Sequence, residues 1–128
     1  GERANPREEL GAGVQSGHLF VGLSVGGKPT WRIEDVVDMV EDIRKRQVGD
    51  PGATFVVQKG LWKSRKTGEI VEEDSTRVVI LSIMGEGREE FEENVLNLGE
   101  ALVEGLGQDS VIVEFQDRGV AYRTVDLT

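Results

Sequence analysis

The chain carries one histidine and no cysteine among its 128 residues. That composition removes thiolate nucleophiles, disulfides, Cys-ligated zinc, iron–sulfur clusters and multi-histidine metal sites. His18 has an ordinary pKa near neutrality and is the one candidate general base. Spacing fixes no serine or acid beside it, so a structural or exposed histidine is expected. Glu72, Glu73 and Asp74 are three adjacent acids. On a strand Glu72 and Asp74 share a face, as a hard-cation site requires. No third ligand and no EF-hand spacing accompany them. They read as a solvated hairpin leg opposite the basic tip of Lys63, Arg65 and Lys66. Gly85-Glu86-Gly87 precedes a helix, as phosphate loops do. It lacks the spacing of a P-loop or a GxGxxG fingerprint, and Glu89, Glu90, Glu92 and Glu93 behind it repel phosphate. No cofactor is implied.

Any chemistry must be positioned by secondary structure, and periodicity locates the elements. Leu19, Val21, Leu23 and Val25 alternate with His18, Phe20, Gly22 and Ser24, which predicts a strand over 18–25. Thr30 is an expected N-cap. Ile33, Val36, Val37, Val40 and Ile43 then recur at helical spacing to Gln47. Strands are expected over 54–62, 70–84 and 110–116. A second helix is expected on Phe91, Val95, Leu98 and Leu102, and a short tail strand over 120–127. Gly22 and Gly60, inside strands, predict a bulge or close backbone approach, and Gly60 beside Trp62 points to a bulge near the hairpin.

The order strand–helix–strand–strand–helix–strand predicts an α+β, ferredoxin-like βαββαβ domain. It consists of an antiparallel sheet with two helices on one face and an extra C-terminal strand. The expected division is a flexible N-terminal segment, 1–17, followed by a single domain, 18–128.

Fifteen basic residues against 24 acidic ones leave a net charge of −9. A strongly acidic chain argues against nucleic-acid binding through phosphate neutralisation. No run approaches the roughly 20 apolar residues of a membrane helix, so no span is expected. The compartment stays open between the cytoplasm and export with an upstream signal removed.

Two helices cover one sheet face and leave the other bare. The expected outward set is Phe20, Ser24, Val56, Gln58, Trp62, Ile112 and Glu114, a mixture of apolar and polar groups. An exposed apolar patch marks a contact surface. Ser24 ends the first strand while Gln108 and Ser110 begin the last, so neighbouring strands bring these ends together. The plainer role for Gln108 and Ser110 is to cap the second helix and tie down its loop. Together these nine residues form the candidate binding set.

Several phrases resemble a small uncharacterised bacterial family of secreted or lipid-anchored domains. They are His18-Leu-Phe-Val-Gly-Leu-Ser24, Gly60-Leu61-Trp62 with Gly68 and Glu73-Asp74-Ser75, and Gly107-Gln108-Asp109-Ser110-Val111. The likeness covers about 18–116. It implies the same fold and no assigned activity, and this chain lacks the lipoprotein cysteine. The leading expectation is a non-catalytic module of unknown function. It would self-associate, with a dimer favoured, or bind a protein partner through its outer sheet face. One alternative is a small-molecule binder or small enzyme with a polar site at the sheet end. Another is an acidic inhibitor that mimics nucleic acid.

Overall fold

Alternating apolar residues build the central strand, and the rest of the molecule assembles around it. A computed structural model describes residues 15–49, 55–66, 69–83 and 85–128, without the side chains of 60–66 and 69–73. The strands are β1 (Gln15–Gly22), β2 (Ser24–Val25), β3 (Lys28–Pro29), β4 (Phe55–Lys66), β5 (Glu69–Leu81), β6 (Val111–Asp117) and β7 (Val120–Leu127). The helices are α1 (Ile33–Val48) and α2 (Arg88–Gly105). The main sheet runs β4-β5-β1-β6-β7, and every neighbouring pair is antiparallel. This is the α+β, ferredoxin-like architecture, with β7 added outside β6.

One face of the sheet carries the core. Leu19, Val21, Val78, Ile80, Val111, Val113 and Phe115 are buried against Val36 and Val40 of α1 and Phe91, Val95, Leu98 and Leu102 of α2. Gly17 and Gly99 let strands and α2 approach closely. A Cβ on Gly17 would lie 2.9 Å from Val95 Cγ1.

Several boundaries differ from the sequence reading. β1 begins at Gln15, so 15–17 belong to the sheet and not to a flexible segment. The Gln15 N–H donates to Ser82 Oγ and the Ser82 N–H to Gln15 O, which ties the start of β1 to the end of β5. Thr30 does not cap α1. Leu23 O accepts the N–H groups of both Thr30 and Trp31, at 3.1 and 2.9 Å, and holds them outside the helix. The cap is Arg32, whose N–H donates to Asp35 Oδ2 at 2.9 Å. Gly60 makes no bulge. The β4–β5 ladder runs unbroken from Phe55↔Ile80 to Lys66↔Glu69, and Lys63 pairs with the acidic Glu72. The bulge lies in β6–β7, between Phe115 and Gln116.

The expected first strand also splits. After Gly22 the chain leaves the sheet and folds a small hairpin from β2 and β3. Its two-residue turn is Gly26-Gly27, with φ of 57° and 79°. Two successive positive φ values define the primed turn that matches strand twist, and glycine supplies them without steric cost. Among the described residues, no helix is long and apolar enough to cross a membrane.

Candidate functional site

Three chain segments meet where β1 leaves the sheet. They are the β2–β3 hairpin, the exit of α2 and residues 74–75 of β5. The Leu23 N–H donates to Asp74 O at 3.1 Å. α2 ends in a Schellman motif. The Gln108 N–H bonds Val103 O at 3.0 Å, the Gly107 N–H bonds Glu104 O, and Gly107 has φ of 61°. That geometry satisfies the last helical carbonyls and turns the chain sharply. It sets Gln108 beside β1. The Gln108 amide nitrogen donates to Ser24 O at 3.0 Å and to Leu106 O at 3.2 Å. Trp31 Nε1 donates to the same Leu106 O at 2.8 Å and joins the entry of α1 to the exit of α2.

These segments enclose a cavity of about 430 Å³, within the usual range of small-molecule sites. Phe20, Val25 and Ile112 supply apolar wall. Ser24, Ser75, Gln108 and Ser110 supply hydroxyl and amide groups, and Asp74 and Asp109 supply carboxylates. Glycines 22, 26, 27 and 107 bring backbone to the surface. Among the described lining residues there is no Lys, Arg or His. The electrostatic character of the cavity is therefore anionic, and it suits a ligand that carries positive charge.

Five of the nine expected site residues line this cavity: Phe20, Ser24, Gln108, Ser110 and Ile112. Ser24, Gln108 and Ser110 do meet at one corner, but Ser24 reaches it from the β2–β3 hairpin and not from the end of β1, and Gln108 both ties the loop and faces the cavity. The other four lie elsewhere. Val56 is exposed on the edge strand β4. Gln58 accepts a hydrogen bond from Arg77 Nε at 3.0 Å on the outer sheet face. Glu114 accepts from Gln116 Nε2 at 2.6 Å and pairs with His18 across the ladder. Trp62 belongs to β4, and its side chain lies outside the described residues.

The sequence reading missed Asp74, Ser75, Asp109 and the Gly26-Gly27 rim. Asp74 was assigned to a solvated hairpin leg, and its neighbours are set by register with β1, where Gly22 pairs with Ser75. The one legible signal was Gly22, an interior strand glycine.

Two further polar clusters lie away from the cavity, at the opposite end of the sheet. Tyr122 OH donates to Glu92 Oε2 at 2.9 Å, and Arg123 meets Glu92 Oε1 at 2.8 Å. Burial first, and then the bond to Glu92, push the Tyr122 phenol up to about 12. Arg44 is fully buried beside Glu86, with Nη1 3.9 Å from Oε2 and 3.0 Å from Gln47 Oε1. Burial lowers the Arg44 guanidinium below its ordinary value, and Glu86 pulls it back. On the outer face, burial and then Arg77 lower His18 below its ordinary 6.5, while Glu114 opposes them.

Comparison with solved proteins decides the family. A phage SAM lyase in complex with S-methyl-5'-thioadenosine is 44% identical over 93% of this chain and 92% of its own, with a TM-score of 0.78. The chain belongs to the phage SAM lyase family. The apo state of a phage SAM lyase matches equally, at 44% identity and a TM-score of 0.78. A divalent cation tolerance protein (CutA1) from Thermus thermophilus is similar at 14% identity and a TM-score of 0.40, over 89% of this chain and 82% of its own. No protein-family model matches the chain, and no curated protein matches it. Membership in an enzyme family overturns the expectation of a non-catalytic module of unknown function. That expectation rested on missing cofactor and triad motifs.

Proposed function

We propose that this protein cleaves S-adenosylmethionine and releases S-methyl-5'-thioadenosine in the cavity beside Ser24 and Gln108. The carrying observation is its 44% identity, over 93% of its length, to a phage SAM lyase solved with S-methyl-5'-thioadenosine. The cavity supports the reading. Phe20, Val25 and Ile112 offer apolar surface for a purine, while the serine hydroxyls and glycine backbone offer partners for ribose and carboxylate. Asp74 and Asp109 suit the net positive charge of the substrate and its ammonium group.

The chemistry follows from the product. S-methyl-5'-thioadenosine keeps the sulfur, the methyl and the adenosyl group, so the broken bond joins sulfur to the aminobutyryl chain. Sulfur takes the bonding pair and becomes a neutral thioether, and the leaving group needs no proton. A lyase adds no water. The released carbon therefore closes on the substrate's own carboxylate or loses a neighbouring proton. Either way positive charge fades at sulfur in the transition state. A carboxylate held against the sulfur would stabilise the ground state more than the transition state and slow the reaction. Asp74 and Asp109 at the wall therefore serve capture of the cation.

Incubation with S-adenosylmethionine, followed by chromatography, is expected to show its loss matched by S-methyl-5'-thioadenosine. Asp74→Asn is expected to raise KM several-fold with kcat retained, and to leave the affinity for the neutral product nearly unchanged. A protein that consumes no substrate and binds no S-methyl-5'-thioadenosine by calorimetry sinks the reading.

Self-association is proposed beside it. The bare sheet face supports it, because Phe20, Val79 and Ile112 are only half-buried there and Val56 is 48% exposed.

A further inference from the structure

We propose that Gln108 is a positioning residue that clasps the β2–β3 hairpin and so sets the shape of the substrate cavity, and that position 22 is glycine to make room for it. The proposal rests on the lyase reading of this cavity and adds a residue that controls substrate affinity.

The hairpin is the rim of the cavity, contributing Ser24, Val25, Gly26 and Gly27. Its own ladder is only two residue pairs long, Ser24↔Pro29 and Val25↔Lys28. A two-stranded hairpin of that size is marginal by itself in water. Its turn glycines have nothing within 4 Å of where a side chain would sit. The hairpin therefore depends on its anchors. One is at its base, where Leu23 bonds Asp74 O, Thr30 and Trp31. The other is the Gln108 amide.

Gln108 is well suited to anchor. Its backbone is pinned by the Schellman motif, with its N–H on Val103 O at 3.0 Å. Its amide nitrogen has two hydrogens, and both are used, on Ser24 O at 3.0 Å and Leu106 O at 3.2 Å. One side chain thus joins the hairpin to the α2 exit. The side chain reaches Ser24 by passing over Gly22. A Cβ on Gly22 would lie 2.7 Å from Gln108 Oε1. The atom it would strike is the end of a flexible side chain, so Gly22→Ala displaces the amide and spares the strand. Gly22 needs no left-handed backbone, so the room it leaves, for the Gln108 amide and for the cavity it lines, accounts for glycine there.

A rim held in place before binding spares the ligand the cost of ordering it. Loss of the clasp is therefore expected in affinity and not in the chemical step.

The test is a double-mutant cycle on Gly22→Ala, Gln108→Ala and the double variant, with Tm confirming that each folds. Amide hydrogen exchange at 24–28 reads the clasp, and calorimetry with S-methyl-5'-thioadenosine and steady-state kinetics with S-adenosylmethionine read its effect. Each single variant is expected to speed exchange at 24–28 and to raise Kd and KM about tenfold, the weight of one hydrogen bond. The rise in KM should exceed any fall in turnover, and a fall in turnover larger than the rise in KM overturns a role in affinity. Adding Gly22→Ala to Gln108→Ala should cost nothing further. Full additivity of the two changes overturns the steric role of Gly22. Unchanged exchange and unchanged KM in Gln108→Ala overturn the clasp. A wild type that neither binds product nor consumes substrate overturns the lyase reading instead, and the exchange cycle still decides the clasp.

Discussion

Gly17 lies under α2, where its missing side chain lets helix and sheet meet. Added carbon there would press on Val95 from 2.9 Å to Cγ1 and 3.1 Å to Cγ2. Valine is branched at Cβ and cannot swing aside within a helix. Gly17→Ala is therefore expected to lower stability by about 1–3 kcal/mol, the usual cost of overpacking, as read by urea unfolding. His18 makes a different kind of prediction. Burial and Arg77 hold its folded pKa below 6.5, so the unfolded chain binds the proton more readily. Its contribution to stability is present above pH 6.5 and is lost as pH falls through the folded pKa. The groups that face it are Arg77, Glu114 and Ser16, whose Oγ lies 3.2 Å from Nε2. The urea midpoint should fall between pH 7.5 and 5, and His18→Gln should show a smaller fall; equal slopes would refute the assignment.

At the scale of elements, the exit of α2 organises the functional end of the molecule. Leu106 O accepts both Trp31 Nε1 and the Gln108 amide, so one carbonyl joins α1, α2 and the hairpin. Trp31→Phe keeps an aromatic ring and removes the donor. It should cost about 0.5–1.5 kcal/mol in unfolding free energy. It should leave the Gln108 bonds in place, so hydrogen exchange at 24–28 should rise less than in Gln108→Ala. β7 works at the other end. Its bulge at Phe115/Gln116 places Tyr122 so that its ring stacks on Phe115 at 6.2 Å, beneath the Arg88 guanidinium. Its hydroxyl bonds Glu92 of α2, so β7 is fastened to the helix layer as well as to β6.

For the whole molecule, one sheet face is filled by helices and the other carries the mixed surface of His18, Phe20, Arg77, Val79, Ile112 and Glu114. Light scattering over a range of concentrations should show an assembly larger than the 14.1 kDa chain. Val56→Glu should shift it toward monomer, because burying an unpaired charge is costly. A monomer at every concentration would refute self-association. The net charge of −9 has a local counterpart, since the described cavity lining holds two carboxylates and no cation. The same acidity that argues against phosphate binding suits a cationic substrate.

The fold was largely legible in the chain because its code is local. Alternation in 19–22 and 111–115, helical spacing at Val36, Val40, Phe91, Val95 and Leu98, and glycine at turns each act over a few residues. Strand order followed from element order, while Ser24 reaches Gln108 through a hairpin that the sequence reading did not foresee. Register did not follow, because it is decided across strands. Asp74 reaches the cavity through the pairing of Gly22 with Ser75, two residues far apart in sequence. Gly17 entered the sheet because Ser82 bonds Gln15, which no local pattern encodes. The kinship of the chain to an enzyme family was hidden for a chemical reason. The proposed substrate is a sulfonium, whose sulfur departs as a neutral thioether without a proton, so such a site needs shape and charge more than a conspicuous nucleophile or base. Shape and charge arise where distant segments converge, and only the tertiary structure brings them together.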